Sequence, residues 1–291
     1  MTSTPRYPET LKGKTIFMSG GSRGIGLAIA LRAAADGANV AIAAKTAEPH
    51  PKLPGTVYTA AEEIKSAGGE ALPLIVDIRE EDQVAAAVEK TVETFGGVDI
   101  LINNASAIRL TGTLETPVKR YDLMHQVNGR GTFVCSQACL PHLLKSDNPH
   151  ILTLAPPPVS DPKWFKLAGP YSIAKYTMTL FTMGMAEEFR DKGVAINALW
   201  PRTAVATAAI TNEIADTAFL NATRKPEIMG DAAHFILTRK ATDTTGRFFI
   251  DDEALIAAGE RDLMKYDTKP GAPLASDFFL EPLPMMFGSG L

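Results

Sequence analysis

Seven short apolar runs alternate with stretches of helical character, and this alternation constrains the fold more than any other feature. The runs are Thr15–Ser19, Asn39–Ala43, Ala71–Asp77, Val98–Ile102, His150–Leu154, Val194–Leu199 and Arg247–Ile250. Between them lie an alanine-rich segment over Gly24–Ala35 stopped by Asp36-Gly37, and a second helix near Ala60–Ala67 ending at Gly68-Gly69. Glu80–Phe95 is acidic at its start, Pro117–Leu144 opens on the proline that helix beginnings favour, and Tyr171–Lys192 follows. Strands that are apolar throughout, rather than at every second position, are buried on both faces. The pattern therefore predicts an α/β protein with a parallel sheet and helices on both faces.

At 291 residues the chain has room for one large domain or two small ones. No repeat or low-complexity linker interrupts the alternation, which favours a single domain over residues 1–291 with a core over about 13–251. Residues 202–229 escape the pattern and read as a mobile lid. The extension over about 259–291 carries Phe278, Phe279, Met285, Met286 and Phe287, apolar side chains that must be covered by the body or by a second subunit. A hydrophobic content of 45% with 21% charged residues suits a packed globular core. The formal net charge of -4 argues against nucleic-acid binding, which needs concentrated Lys and Arg. No run is long enough to span a bilayer, and Met1–Arg6 lacks the apolar stretch of a signal peptide, so a cytoplasmic setting is expected. The two cysteines, Cys135 and Cys139, read as small buried hydrophobes. The five histidines show no metal-binding spacing, and no metal site is expected.

Ser19-Gly20-Gly21-Ser22-Arg23-Gly24-Ile25-Gly26 joins the first run to the first helix. Glycines there permit a tight turn and let backbone amides approach a pyrophosphate at the positive end of the helix. In that position the loop indicates a Rossmann-type, doubly wound, seven-stranded sheet that binds a dinucleotide; alone, it would be a weak signal, with a glycine turn used only for packing as the alternative. Cofactor choice follows from the end of the second strand, where a carboxylate would bind a ribose 2'-hydroxyl. Ala44 and Lys45 stand there instead, and Arg23 lies in the loop, so NADP(H) is favoured over NAD. Lys45 as a solvated surface residue is the alternative.

Tyr171 and Lys175 stand four residues apart and share one helix face. A lysine so placed lowers the pKa of a phenol, about 10 when unperturbed, and suits it to exchange a proton with an alcohol oxygen.

Over about Gly13–Asp251 the chain resembles the short-chain dehydrogenase/reductase family. The resemblance rests on the glycine loop at 19–26, Asp77, Asn103-Asn104-Ala105-Ser106, Asn128, Tyr171-Ser172-Ile173-Ala174-Lys175, and Pro201 with Thr203. The stretch from Ala43 to Ile64 is similar to the hydroxysteroid dehydrogenase-like branch, whose animal members add a sterol-carrier domain that this chain is too short to hold. The resemblance implies that Tyr171 is the proton donor or acceptor, and that Lys175 holds the nicotinamide ribose and tunes the tyrosine. It implies that Asn128 supports a water chain to Lys175, Asp77 contacts the adenine, and Asn103, Asn104 and Ala105 line the cofactor path. Gly20, Ser22, Arg23, Gly24, Ile25 and Gly26 would cradle the phosphates, and Thr203 would bind the carboxamide. Relatives pair through the helices corresponding to Pro117–Leu144 and Tyr171–Lys192, implying a homodimer or homotetramer. Structural alternatives stand beside three of these: Tyr171 as a core tyrosine, Asn128 as a helix-to-sheet tie, and Asp77 as a helix N-cap.

One departure is pronounced. The family carries a serine after strand five whose hydroxyl binds the substrate oxygen; here Ala155-Pro156-Pro157-Pro158 occupies that stretch. Ser160 lies nearby, either as a substitute or as a plain loop residue. Arg202 follows Pro201 where glycine is common, and either binds an anionic substrate group or faces solvent. Removing one such donor costs ~10²–10³ in rate, so a slow enzyme is expected before a dead one. The expected activity is NADP(H)-dependent interconversion of a secondary alcohol and a carbonyl, on a hydrophobic small molecule. The rival is a catalytically weak or inactive NADP(H)-binding sensor or scaffold, which the proline triplet favours.

Overall fold

The computed structural model describes residues 10–49, 54–166, 168–208 and 217–281. Its seven strands are β1 (Thr15–Ser19), β2 (Asn39–Ala44), β3 (Glu70–Ile75), β4 (Ile100–Asn103), β5 (His150–Thr153), β6 (Ala195–Trp200) and β7 (Phe248–Ile250). They form one sheet in the order β3-β2-β1-β4-β5-β6-β7, every neighbouring pair parallel. The helices are α1 (Gly24–Ala34), α2 (Val57–Ser66), α3 (Glu81–Phe95), α4 (Val118–Met124), α5 (Gly131–Leu143), α6 (Lys163–Lys166) and α7 (Gly169–Glu188). After β6 come α8 (Thr217–Asn221), α9 (Glu227–Leu237) and α10 (Asp251–Ala257).

Strand periodicity sorts the core into two layers. Ile16 and Met18 of β1 and Val40 and Ile42 of β2 face α1, α2 and α9, packing with Ile29, Ile64, Ile228 and Ile236. The alternate residues Phe17, Ala41 and Ala43 face α3, α5 and α7, packing with Val84, Val88, Val134 and Met185. Each fully buried side chain of this size stabilises the fold by roughly 1.5–3 kcal/mol. Cys135 and Cys139 are unpaired and wholly buried in the second layer, where burial pushes the Cys135 thiol up to about 12. Pro73, which lacks the N–H of a central strand, sits in β3 at the sheet edge, where one side needs no partner.

Two boundaries differ from expectation. β3 stops at Ile75, so Asp77 lies in the following loop instead of on the strand. It does not cap α3, whose N-cap is Glu80. The single helix expected over Pro117–Leu144 is three pieces, with a π-helical turn over His125–Arg130 between α4 and α5. Gly129 allows this turn to press on α7, since a Cβ there would come within 2.7 Å of the Thr177 methyl.

Through residue 281 the extension after α10 packs on the body of the same chain. Phe278 and Phe279 are buried in a cluster with Trp164, Tyr171, Trp200 and Ile250. Met285, Met286 and Phe287 lie outside the described residues, as does the 209–216 part of the expected lid.

Candidate active site

A cavity of about 590 Å³ opens at the carboxyl ends of the strands, where sheet order reverses between β1 and β4. Its first wall is the turn from β1 into α1. Gly20 has φ +76°, and a Cβ on it would lie 2.8 Å from the Ala105 Cα. Gly26 is packed more tightly: a Cβ would sit 2.5 Å from Asn104 Nδ2. That amide donates to the Gly20 carbonyl at 2.7 Å and ties the loop to the end of β4. α1 starts with no side-chain cap and no acidic residue in its first turn, so its amides are left for a ligand. Ser22, Arg23, Gly24, Ile25 and Ala105 line the cavity beside it. The Arg23 guanidinium donates through Nη2 to the Gly55 carbonyl at 3.0 Å, while its buried Nη1 has no partner.

Lys45 and Asp77 reach the same cavity, but they meet each other first. Lys45 Nζ stands 2.9 Å from Asp77 Oδ2, and the Arg79 guanidinium grips the same carboxylate. Arg79 first, with Lys45 beside it, holds the Asp77 carboxyl far below the usual carboxylate range. Lys45 is therefore a partly neutralised cation, with 60% of its side chain exposed.

At the far end, α7 presents Tyr171 and Lys175 to the cavity, as their spacing predicts. The Tyr171 hydroxyl has no hydrogen-bond partner among the described residues. Lys175 Nζ donates to the Leu154 carbonyl at 2.5 Å and lies 5.2 Å from the centre of the Trp200 ring. Burial, with a smaller contribution from the charge of Asp277, pushes the Tyr171 phenol up rather than down. Burial also lowers Lys175 to about 7, against a smaller opposing effect of Asp277. Asn128, on the π turn, does not face the cavity; its side chain accepts from the Ala107 amide at 2.8 Å and donates to the Ala107 carbonyl at 3.1 Å. That is the tie expected of a structural asparagine. Asn103 donates to Ser136 Oγ at 3.1 Å and leaves its Oδ1 unpartnered, and Thr203 is buried with its Oγ1 unpartnered; neither residue lines the cavity.

The proline segment turns away. Ser160 is exposed and does not line the cavity, so the sequence candidate for a substitute hydroxyl is a loop residue. Arg202 neither faces solvent freely nor awaits an anion: its Nε donates to Asp252 at 2.6 Å, and Glu253 takes Nη2. Sequence reasoning missed Asp277 and Phe278, which line the cavity beside Tyr171 and Lys175. The extension is pinned by a short antiparallel pairing, with Ala204 N–H donating to Ala275 and Asp277 N–H to Arg202, both at 2.9 Å. Trp200 Nε1 donates to the Phe278 carbonyl at 2.8 Å, and the Phe278 ring meets Tyr171 edge-on at 6.0 Å. The apolar tail was the available signal, but nothing local in it announces a site residue.

Residues 14–217 match the short chain dehydrogenase family. The chain belongs to that family. Within it the chain falls in the hydroxysteroid dehydrogenase-like branch: it is 58% identical over 274 residues to hydroxysteroid dehydrogenase-like protein 2 of Danio rerio and 54% identical to that of Homo sapiens. Those alignments cover 94% of this chain and 65% of each relative, so the chain spans about two thirds of their length. Among solved structures, a putative dehydrogenase from Xanthomonas campestris is 61% identical with a TM-score of 0.89, covering 94% of this chain and 98% of that one. A short chain dehydrogenase from Mycobacterium thermoresistibile is 55% identical at the same TM-score and coverage.

This is an oxidoreductase family whose members generally bind a nicotinamide cofactor, and the residues present fit one. An uncapped helix N-terminus, glycines with no room for a Cβ, and the unpartnered Arg23 Nη1 are chemically suited to a phosphate. Among the described residues no helix is long and apolar enough to cross a membrane, and no cluster of His, Cys, Asp or Glu is placed to hold a metal ion.

Proposed function

We propose that the protein is an NADP(H)-dependent oxidoreductase that interconverts a secondary alcohol and a carbonyl on a hydrophobic small molecule. The observation that carries this reading is a single cavity with Tyr171 and Lys175 at one end and the α1 N-terminus with Arg23 at the other. When bound, the nicotinamide supplies or takes up the hydride at the substrate carbon.

Tyr171 gives its phenolic proton to the carbonyl oxygen in reduction and takes it back in oxidation. A phenol raised by burial is fully protonated at neutral pH and is poised as the acid. Lys175, which burial brings to about 7, holds the ribose and returns a proton to the tyrosine. Asn128 keeps the π turn and the Ala107 loop in register behind them. Arg23, with Lys45 beside it, reads the 2'-phosphate, and Thr203 offers its unpartnered hydroxyl to the carboxamide. Ile108, Leu123, Val127 and Phe278 make the substrate side apolar, which supports a hydrophobic carbonyl compound. The exposed Phe133, Ile173, Leu180 and Met183 on α5 and α7 support pairing of two copies through those helices. Two unpaired buried cysteines agree with a reducing compartment such as the cytoplasm.

A screen of ketones and aldehydes that follows NADPH absorbance tests the reading. Wild type turns over a hydrophobic carbonyl, and Tyr171→Phe loses that turnover while keeping NADPH affinity. Unchanged turnover in the phenylalanine variant, or no binding of NADPH, refutes it.

A further inference from the structure

A carbonyl oxygen offers two lone pairs, and the Tyr171 hydroxyl can engage only one of them. As charge builds on that oxygen a preorganised donor aimed at it is worth ~10²–10³ in rate. Of the polar groups beside Tyr171, Lys175 is engaged with the Leu154 carbonyl and Trp200 Nε1 with the Phe278 carbonyl. The strand exit at Ala155-Pro156-Pro157-Pro158 has no hydroxyl, and Ser160 lies outside the cavity.

Asp277 remains. It lines the cavity, and its electrostatic influence reaches both Tyr171 and Lys175. Its backbone is fixed, because its N–H donates to the Arg202 carbonyl and Thr203 bridges Ser276 next to it. Its Oδ1 accepts the Phe278 amide at 2.6 Å, and among the described residues no other hydrogen bond reaches the carboxyl. The backbone at Phe279 has φ +68°, a left-handed conformation unfavourable for a bulky residue, yet its ring is buried. Such strain costs on the order of 1–3 kcal/mol and persists where the surroundings over-determine a geometry. The segment is therefore built to hold Asp277 and Phe278 in place.

We propose that Asp277 is a substrate-binding acid of this site: its free carboxyl oxygen, protonated, donates a hydrogen bond to the substrate oxygen beside the Tyr171 hydroxyl. This rests on the carbonyl chemistry proposed above and replaces a hydroxyl on strand five with a carboxyl from the C-terminal extension. Asp277 donates without giving up its proton; the transferred proton is that of Tyr171. The ionisable groups facing Asp277 are Lys175 and Tyr171 on α7 and Asp251 at the start of α10. Burial first, with Asp251 adding to it, raises the Asp277 carboxyl to about 7 against the pull of Lys175, which keeps a substantial protonated fraction near neutrality. A substrate with a free carboxylate next to its carbonyl is disfavoured, so the preferred class is a neutral ketone or aldehyde on an apolar body.

The test compares Asp277→Asn and Asp277→Ala with wild type on a substrate found by the screen. Alanine lowers kcat by ~10²–10³ with NADPH affinity and melting temperature near wild type. Asparagine, which can still donate, retains most of kcat and shows a smaller fall in activity than wild type as pH rises through about 7, the remaining fall being that of Lys175. Infrared spectra of the apoprotein in mildly acidic buffer carry carboxylic-acid absorption that Asp277→Asn reduces, the buried Asp251 carboxyl supplying the rest. The proposal is overturned if the alanine variant turns over like wild type, or if the asparagine variant keeps the wild-type pH profile. It is also overturned if Asp277 is ionised across that pH range, or if Ser106→Ala, at the other hydroxyl lining the cavity near β4, shows the loss instead. Loss in Tyr171→Phe with none in the Asp277 variants sinks this inference alone. Absence of wild-type turnover on every carbonyl class sinks the underlying reading and this one with it.

Discussion

Replacing Arg23 by alanine should weaken NADPH binding far more than replacing Lys45, although both stand where a 2'-phosphate would be read. The difference lies in what each cation already does. Arg23 donates one hydrogen bond to Gly55 and keeps a buried Nη1 with no acceptor. A hydrogen bond to a charged group contributes about 1.5–3 kcal/mol, and about 1.4 kcal/mol is tenfold in affinity. Arg23→Ala is therefore expected to raise the NADPH Kd by about 10- to 100-fold. Lys45 is largely solvated and already 2.9 Å from Asp77, a carboxylate also held by Arg79. An exposed, pre-paired cation contributes about 0–1 kcal/mol, so Lys45→Ala should cost at most about fivefold.

Calorimetric titration of each variant with NADPH and NADH decides the matter, because only the 2'-phosphate distinguishes the two ligands. Arg23→Ala should close most of the gap between them, leaving NADH affinity within about twofold, well inside the factor that 1.4 kcal/mol represents. Equal weakening of both cofactors would mean that Arg23 shapes the loop through Gly55 rather than reading a phosphate. A larger loss in Lys45→Ala would mean that cofactor binding breaks the Lys45–Asp77 pair and that its pre-existing geometry misleads.

Three further outcomes follow from the same geometry. Gly26→Ala forces a Cβ to within 2.5 Å of Asn104 Nδ2 and 2.7 Å of the Gly20 carbonyl, so it should destabilise by about 1–3 kcal/mol in urea melts and abolish cofactor binding. Asp251 is wholly buried, and burial, with Asp252 beside it, raises its carboxyl from 3.8 to about 6. Between those values the folded chain holds a proton that the unfolded chain has lost, so this group's contribution to stability declines as pH rises from about 4 to 6. Asp251→Asn should gain stability relative to wild type over that window and keep the gain at neutral pH, read by urea denaturation across pH; a constant difference would refute the assignment. Leu180→Asp should convert a paired species to monomer in light scattering without altering the melting profile of the monomer, since Leu180 is 57% exposed on α7.

What could be read from the residues was what local chemistry encodes. The glycine turn was legible because backbone approach to Ala105 and Asn104 excludes any Cβ, and Tyr171 with Lys175 because helical spacing alone puts both on one face. The Lys45–Asp77 pair was not, since each residue was assigned its own contact with the cofactor and neither position implies that β2 and the loop after β3 bring them together. The π turn under Asn128 has no sequence signature of its own. Asp277 was out of reach for a different reason: its segment returns to the exit of β6 by backbone pairing with Arg202 and Ala204, which carries no side-chain pattern, and by the Trp200 indole bond to Phe278 across 78 residues of chain.

The proline triplet shows how far a departure can mislead when judged at one position. Proline has no N–H, so Pro156, Pro157 and Pro158 leave this strand exit rich in acceptors and poor in donors. Donors come from α7 instead: Lys175 to the Leu154 carbonyl, Thr179 to that of Pro156 at 2.8 Å, and Tyr176 to that of Val159 at 2.6 Å. Two of the three, Lys175 and Thr179, stand four apart on α7, the same interval that joins Tyr171 to Lys175, so the strip anchors the helix that carries the tyrosine. A serine's hydroxyl is absent from the strip, but the strip holds the tyrosine in place. On the proposed reading, the donor that the strip lacks is supplied from the opposite direction by Asp277, which the strained backbone at Phe279 and the Trp200–Phe278 bond keep facing Tyr171. The gap in the family pattern and the segment that carries Asp277 and Phe278 are then two halves of one rearrangement, and the Asp277 variants test both at once.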